Sequence, residues 1–73
     1  MAGYEHFKTT IEESKLSIAD VAARCSITRA YLYDLLKGIA TPSHGLCIQL
    51  ADGLGLNRDD VIGWWWDKDG KKI

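Results

Sequence analysis

A short helix whose start and buried face are both specified is the strongest structural signal in this sequence. Ser17 is a favourable N-cap residue, and Asp20, three positions later, completes a pattern like a capping box. Apolar residues then recur at the i, i+3, i+4 and i+7 spacing of one helical face, at Ile18, Val21, Ala22 and Cys25. A helix with a single apolar stripe must bury it against other elements, so the chain has to form a packed bundle.

Comparable segments occur before and after this one and predict an all-α fold. The earliest, from Tyr4 to Ser14, has one apolar face made of Tyr4, Phe7 and Ile11. Three later segments each follow a further N-cap residue, namely Thr28, Ser43 and Asn57. Gly38 and Gly55 stand where a helix end favours a left-handed residue. No segment alternates with period 2, so we predict a compact bundle of about five helices and no sheet.

The length of 73 residues allows one domain. We place it at residues 1–66 and expect the charged C-terminal tail at residues 67–73 to be frayed. No apolar run approaches the roughly 18 residues that a membrane span needs, and the polar N-terminus lacks the plan of a secretory signal. We therefore expect a cytoplasmic protein.

Catalytic and metal chemistry find little support in the residue pattern. Cys25 and Cys47 are far apart, which favours buried core thiols over a disulfide framework or a zinc site. His6 and His44 each lack a second ligand at helical spacing. Because no nucleophile motif, phosphate loop or cofactor fingerprint is present, we predict that the protein is not an enzyme and needs no cofactor.

The segment from Ser17 to Gly38 carries the functional signal. Two short capped segments are separated by a break of two or three residues, and Ala22 is small enough for close crossing of two helices. If Leu32 faces inward, the helical period places four residues on the opposite side, with Arg29 and Tyr31 beside them: Ala30, Tyr33, Asp34 and Lys37. Several hydrogen-bonding groups beside one small residue suit contact with base edges.

The stretch LSIADVAARCSITRAYLYDLLKGIATPS, followed by LCIQLADGLGLNRDDVI, resembles the phage-repressor/Cro-like helix-turn-helix family. The resemblance covers roughly Phe7 to Ile62. Its matching features are the Val-Ala pair of the second helix, the Thr-x-x-Tyr-Leu opening of the third, and the residues Leu35, Gly38, Pro42, Ser43, Leu50, Ala51, Leu54 and Gly55. The family implies a lambda-repressor-like domain that binds operator DNA as a dimer, reads bases with the third helix and represses or regulates transcription.

Carried over by position, the resemblance implies a set of DNA-contacting residues. They are Ser17, Thr28, Arg29, Ala30, Tyr33, Asp34 and Lys37, and the phenol of Tyr31 is a further candidate for phosphate. Three positions depart from the family pattern. Ile18 stands where glutamine is frequent, Ser26 stands at a turn position usually held by glycine, and Asp34 brings a negative charge to the DNA face.

Two features favour a different function. The net charge is −1, whereas nucleic-acid binders are usually basic. Trp64, Trp65 and Trp66 are consecutive and span about 200° of a helix, so we expect at least one to be exposed to a partner. We predict a homodimer interface there. The alternative is a protein-interaction module of the same fold that binds another regulator, a polymerase subunit or a toxin.

Overall fold

Five helices make up the computed structural model, which describes residues 3–73. In chain order they are α1 (Gly3–Ser14), α2 (Ile18–Cys25), α3 (Arg29–Leu36), α4 (His44–Leu54) and α5 (Arg58–Trp65). Within the described residues the only β structure is an isolated bridge between Trp66 and Lys72. The predicted all-α bundle is therefore confirmed, and only the first two residues of the predicted domain lie outside the described part.

Side-chain caps set the start of four helices, as the sequence predicts. In each case the side-chain oxygen accepts a hydrogen bond from the backbone N–H three residues later, at 3.1–3.2 Å. The cap residues are Ser17, Thr28, Ser43 and Asn57. Because these bonds satisfy backbone donors that a helix leaves unpaired, each short helix has a defined first turn.

Left-handed residues end the helices next to the candidate site. Gly38 and Gly55 have φ of 76° and 68°, where glycine is free of the Cβ penalty. Ser26 adopts φ 56° after α2, at the turn position where glycine is usual in the family that the sequence resembles. The Ile27 N–H then donates to the Ala22 carbonyl at 3.0 Å, which closes the turn. A left-handed serine costs about 1 kcal/mol, and this hydrogen bonding offsets it.

The core lies where all five helices meet. Its fully buried members include Phe7 of α1, Leu32 and Leu35 of α3, and Leu50 of α4. Helix α4 packs against both α2 and α5, so it links the first part of the bundle to the last. None of the described helices has the length and apolar character that would let it cross a membrane.

The three tryptophans are packed within the chain itself, and the expectation that at least one is exposed is wrong. Trp65 is only 5% exposed and lies 5.6 Å from the Phe7 ring, measured between ring centroids. Trp64 and Trp66 are half-buried. Helix α5 ends at Trp65, so Trp66 leaves in an extended conformation and its indole N–H donates to the Pro42 carbonyl at 2.9 Å. The 200° argument fails because the three residues do not share one helix.

The C-terminal tail is folded rather than frayed. The Asp67 carboxylate accepts hydrogen bonds from the backbone N–H groups of Asp69 and Lys71 at 3.0 and 2.8 Å. The Ile73 N–H reaches back to the Trp65 carbonyl at 2.9 Å. The sequence does not predict this turn, because its hydrogen bonds join Trp65 and Asp67 to a segment that carries no helix or strand pattern.

Both cysteines are buried free thiols, as predicted. Burial raises the pKa of Cys47 from its ordinary value of 9.0 to about 11, and burial also raises the pKa of Cys25. We expect a thiol reagent at pH 8 to label both only as fast as the protein unfolds. In the unfolded chain both thiols ionise near pH 9, whereas in the folded protein they stay protonated. Their contribution to the free energy of unfolding should therefore be full below pH 9 and fall as pH rises towards 11. Immediate labelling of the native protein at pH 8 would contradict the burial of the two thiols.

Candidate nucleic-acid interface

One side of α3 is buried and the other faces solvent. Leu32 and Leu35 are fully buried and hold the helix on the bundle. Four residues of the helix and its C-cap are exposed, with Arg29 beside the outward side: Arg29, Ala30, Tyr33 and Lys37. The structure thus brings these four predicted contact residues onto one outward surface, which we call the α3 face.

Arg29, Tyr33 and Lys37 form a line along the α3 face because they are spaced four residues apart. Arg29 is the first residue of the helix and Lys37 follows its last residue. At 1.5 Å per residue, the backbone positions of these two residues are separated by about 12 Å along the helix axis. Tyr33 lies between them and is 47% exposed. One helix therefore offers two charged groups at its ends with an aromatic group between them.

Asp34, which the helical period places on the outward side, is only half-exposed, and Tyr31 beside that side is half-buried as well. The Asp34 carbonyl accepts hydrogen bonds from Ile39 and Ala40, which fixes the loop after α3. Tyr31 packs against the core, and burial raises the pKa of its phenol. Most of the Tyr31 ring is thus packed within the bundle. Less of its surface can contact a ligand than in the case of Tyr33.

Two exposed hydroxyl groups lie at the starts of α2 and α3. Ser17 and Thr28 use their oxygens as acceptors for the backbone N–H groups of Asp20 and Tyr31. A hydroxyl that accepts one bond can still donate its own hydrogen. These caps can therefore serve the helix and donate to a phosphate oxygen at the same time.

The charge around α2 and α3 differs from that of the whole chain. Residues 15–37 contain four cations, Lys15, Arg24, Arg29 and Lys37, and two carboxylates, Asp20 and Asp34. All four cations are exposed. The segment that presents the α3 face is thus locally basic although the chain has a net charge of −1, and local charge is what a nearby phosphate senses.

Helix α4 supports the turn between α2 and α3, through contacts that the sequence does not predict. The Gln49 amide donates to the carbonyls of Cys25 and Ser26, and Gly53 lies against the backbone of Arg24. A glycine inside a helix is a signal of close packing that was available in the sequence. Nothing in the sequence marks Gln49, because its side chain is exposed and only the fold brings it to the turn.

The histidines and the acidic residues provide no metal site. His6 stacks on Trp64 with the ring planes 10° apart, and His44 meets the edge of Trp66. Across residues 3–73, no group of three potential ligand side chains is placed to hold a metal ion. The two histidines therefore extend the aromatic packing at both ends of the tryptophan run.

A family model described as a helix-turn-helix domain matches residues 6–61. The chain belongs to the helix-turn-helix family. No curated protein and no solved structure matches it. In this helix-turn-helix domain α2 and α3 are the two helices of the motif, and Ser26 to Thr28 form the turn between them. The family indicates DNA as the partner and regulation as the role, in agreement with the exposed basic segment.

Proposed function

We propose that the protein binds a specific double-stranded DNA sequence and regulates transcription by occupying its operator, as phage-repressor/Cro-like proteins do. The observation that carries the proposal is the α3 face, where Arg29, Tyr33 and Lys37 are exposed while Leu32 and Leu35 of the same helix are buried. A helix held by one side and polar on the other can enter the major groove of DNA.

The contacts differ along the helix because the N-terminal end of a recognition helix goes deepest into the groove. Arg29 lies at that end, and its planar guanidinium can bond both acceptors of one guanine. Tyr33 lies one turn later and reaches a base methyl group or a phosphate. Lys37 lies at the far end and meets phosphate. Ser17, Thr28 and Ala30 complete the surface, the first two through their hydroxyls and Ala30 by leaving room for a base.

Arg29→Ala should weaken binding to the preferred duplex by about 1–3 kcal/mol and relax the preference at one base position.

Lys37→Ala should weaken binding to all duplexes alike and lower the slope of log affinity against log salt by about one unit. Asp34→Asn should strengthen non-specific binding because it removes a negative charge near the phosphates. Fluorescence anisotropy with preferred and scrambled duplexes across a salt series measures all three.

Lys8→Ala is the matched control, since it removes the same charge from an exposed position on α1. It should change affinity and salt slope less than Lys37→Ala does. If Arg29→Ala and Lys37→Ala behave like the control, the α3 face does not read DNA. The protein-interaction function would then account better for the exposed surface.

A homodimer is part of the proposal, because two copies of α3 about 34 Å apart would read two half-sites one helical turn apart. Trp65 is buried in its own protomer, which leaves the half-buried Trp64 and Trp66 as the aromatic part of the interface. Sedimentation of the wild type and Trp64→Ala should show a dimer that the substitution weakens. A strict monomer at high concentration, both with and without DNA, would contradict the dimer.

A further inference from the structure

The Gln49 side chain of α4 bonds to the turn before α3. Its Nε2 donates to the Cys25 carbonyl at 2.5 Å and to the Ser26 carbonyl at 3.3 Å. The amide has two hydrogens, so both bonds form together. Cys25 is the last residue of α2 and Ser26 is the left-handed residue that follows it. These bonds therefore hold the point at which the chain changes direction towards α3.

Gly53, one helical turn after Gln49, allows α4 to approach this closely. A Cβ at Gly53 would lie 2.5 Å from the Arg24 carbonyl oxygen and 3.0 Å from the Cys25 Cα. The backbones of α4 and α2 are thus in contact next to the Gln49 bonds. Close approach fixes the distance between the two helices, and the Gln49 amide fixes the turn at that distance.

We propose that Gln49 is a positioning residue for the DNA-reading helix and sets the angle at which the α3 face is presented. The inference rests on the proposed function. Ser26 holds a conformation that serine tolerates poorly, and the link to α3 contains only Ser26, Ile27 and Thr28. An unsupported link of this kind would let α3 change its angle. Gln49 acts on DNA recognition through that angle and not through a contact of its own.

Gln49→Met is the central test, because methionine keeps the length and neutrality of the side chain and removes the donor. Gln49→Glu also removes the donor and adds a negative charge at the C-terminal end of α2, where the helix dipole is unfavourable to it. Since Gln49 is exposed, neither change leaves a cavity, and both variants should fold. Cys47→Ala is the control: it removes a buried atom from α4 and lowers stability without touching the turn.

The main readout is the ratio of affinity for the preferred duplex to affinity for a scrambled one, well below the melting temperature. We expect both Gln49 variants to lower this ratio by about fivefold or more, because a turn without these hydrogen bonds lets α3 adopt angles that fit the preferred duplex less well. Cys47→Ala should leave the ratio unchanged. An unchanged ratio in the Gln49 variants, or an equal fall in Cys47→Ala, would overturn the positioning role.

Amide hydrogen exchange of the free protein separates this inference from the proposed function. The Ser26 and Ile27 N–H groups should exchange faster in Gln49→Met, by about fivefold relative to the core amide of Leu50. If the wild type does not discriminate between duplexes, the proposed function fails, and exchange alone then decides the role of Gln49. Unchanged exchange at Ser26 and Ile27 would show that Gln49 does not hold the turn.

Discussion

Replacing Trp65 with alanine should lower the free energy of unfolding by about 3–5 kcal/mol. The side chain is only 5% exposed and packs on Phe7, with ring centroids 5.6 Å apart. A domain of 73 residues has a total stability of about 4–11 kcal/mol. Trp65→Ala should therefore remove a large part of that stability.

Chemical denaturation of the wild type, Trp65→Ala and Trp64→Ala tests this expectation. Trp64 is the matched control because it is the neighbouring residue and only half-buried, so its loss should cost clearly less. A cost below about 1 kcal/mol for Trp65→Ala would contradict the core packing described above. The result would then favour the interpretation in which this side chain serves a partner and not its own protomer.

Gly53→Ala should destabilise the protein by about 3 kcal/mol, at the upper end of the usual range for overpacking. The new Cβ would lie 2.5 Å from the carbonyl oxygen of Arg24 and 2.8 Å from its carbonyl carbon. Both atoms belong to the backbone, so α2 and α4 have to move apart. The gain in helix propensity, about 1 kcal/mol, opposes this cost and does not balance it.

Gly63→Ala provides the control for Gly53→Ala. Gly63 also lies inside a helix, but a Cβ there meets nothing within 4 Å, so only the gain in propensity remains. Thermal denaturation should show a lower melting temperature for Gly53→Ala and a higher one for Gly63→Ala. Two shifts of the same sign would contradict the close approach of α4 to α2.

The local features of the fold were predictable from the sequence because short-range chemistry determines them. Ser17, Thr28, Ser43 and Asn57 start helices by bonding to backbone three residues later, and this spacing is visible in the sequence. The helical period around Leu32 likewise predicts the exposure of Ala30, Tyr33 and Lys37, whereas Asp34, which it also places outward, is half-buried. The left-handed turn at Ser26, in contrast, was expected only from the resemblance to the helix-turn-helix family, in which glycine usually holds this position.

Features that depend on contacts between distant segments were not predictable. Gln49 reaches the turn only because α4 packs on α2, and Trp66 reaches Pro42 only because α5 has ended one residue earlier. Tyr31 illustrates the same limit within the candidate site: the period places it beside the α3 face, but the packing of the bundle turns part of its ring into the core.

Selection of bound sequences from a random pool of DNA duplexes is the most direct test of sequence-specific binding by this domain. We expect enrichment of a defined motif, arranged as two related half-sites about 10 base pairs apart, by a protein whose affinity falls steeply with salt. Arg29→Ala should enrich a motif that has lost its preference at one position. Recovery of the input pool without enrichment, at any salt concentration, would contradict sequence-specific DNA binding by this domain.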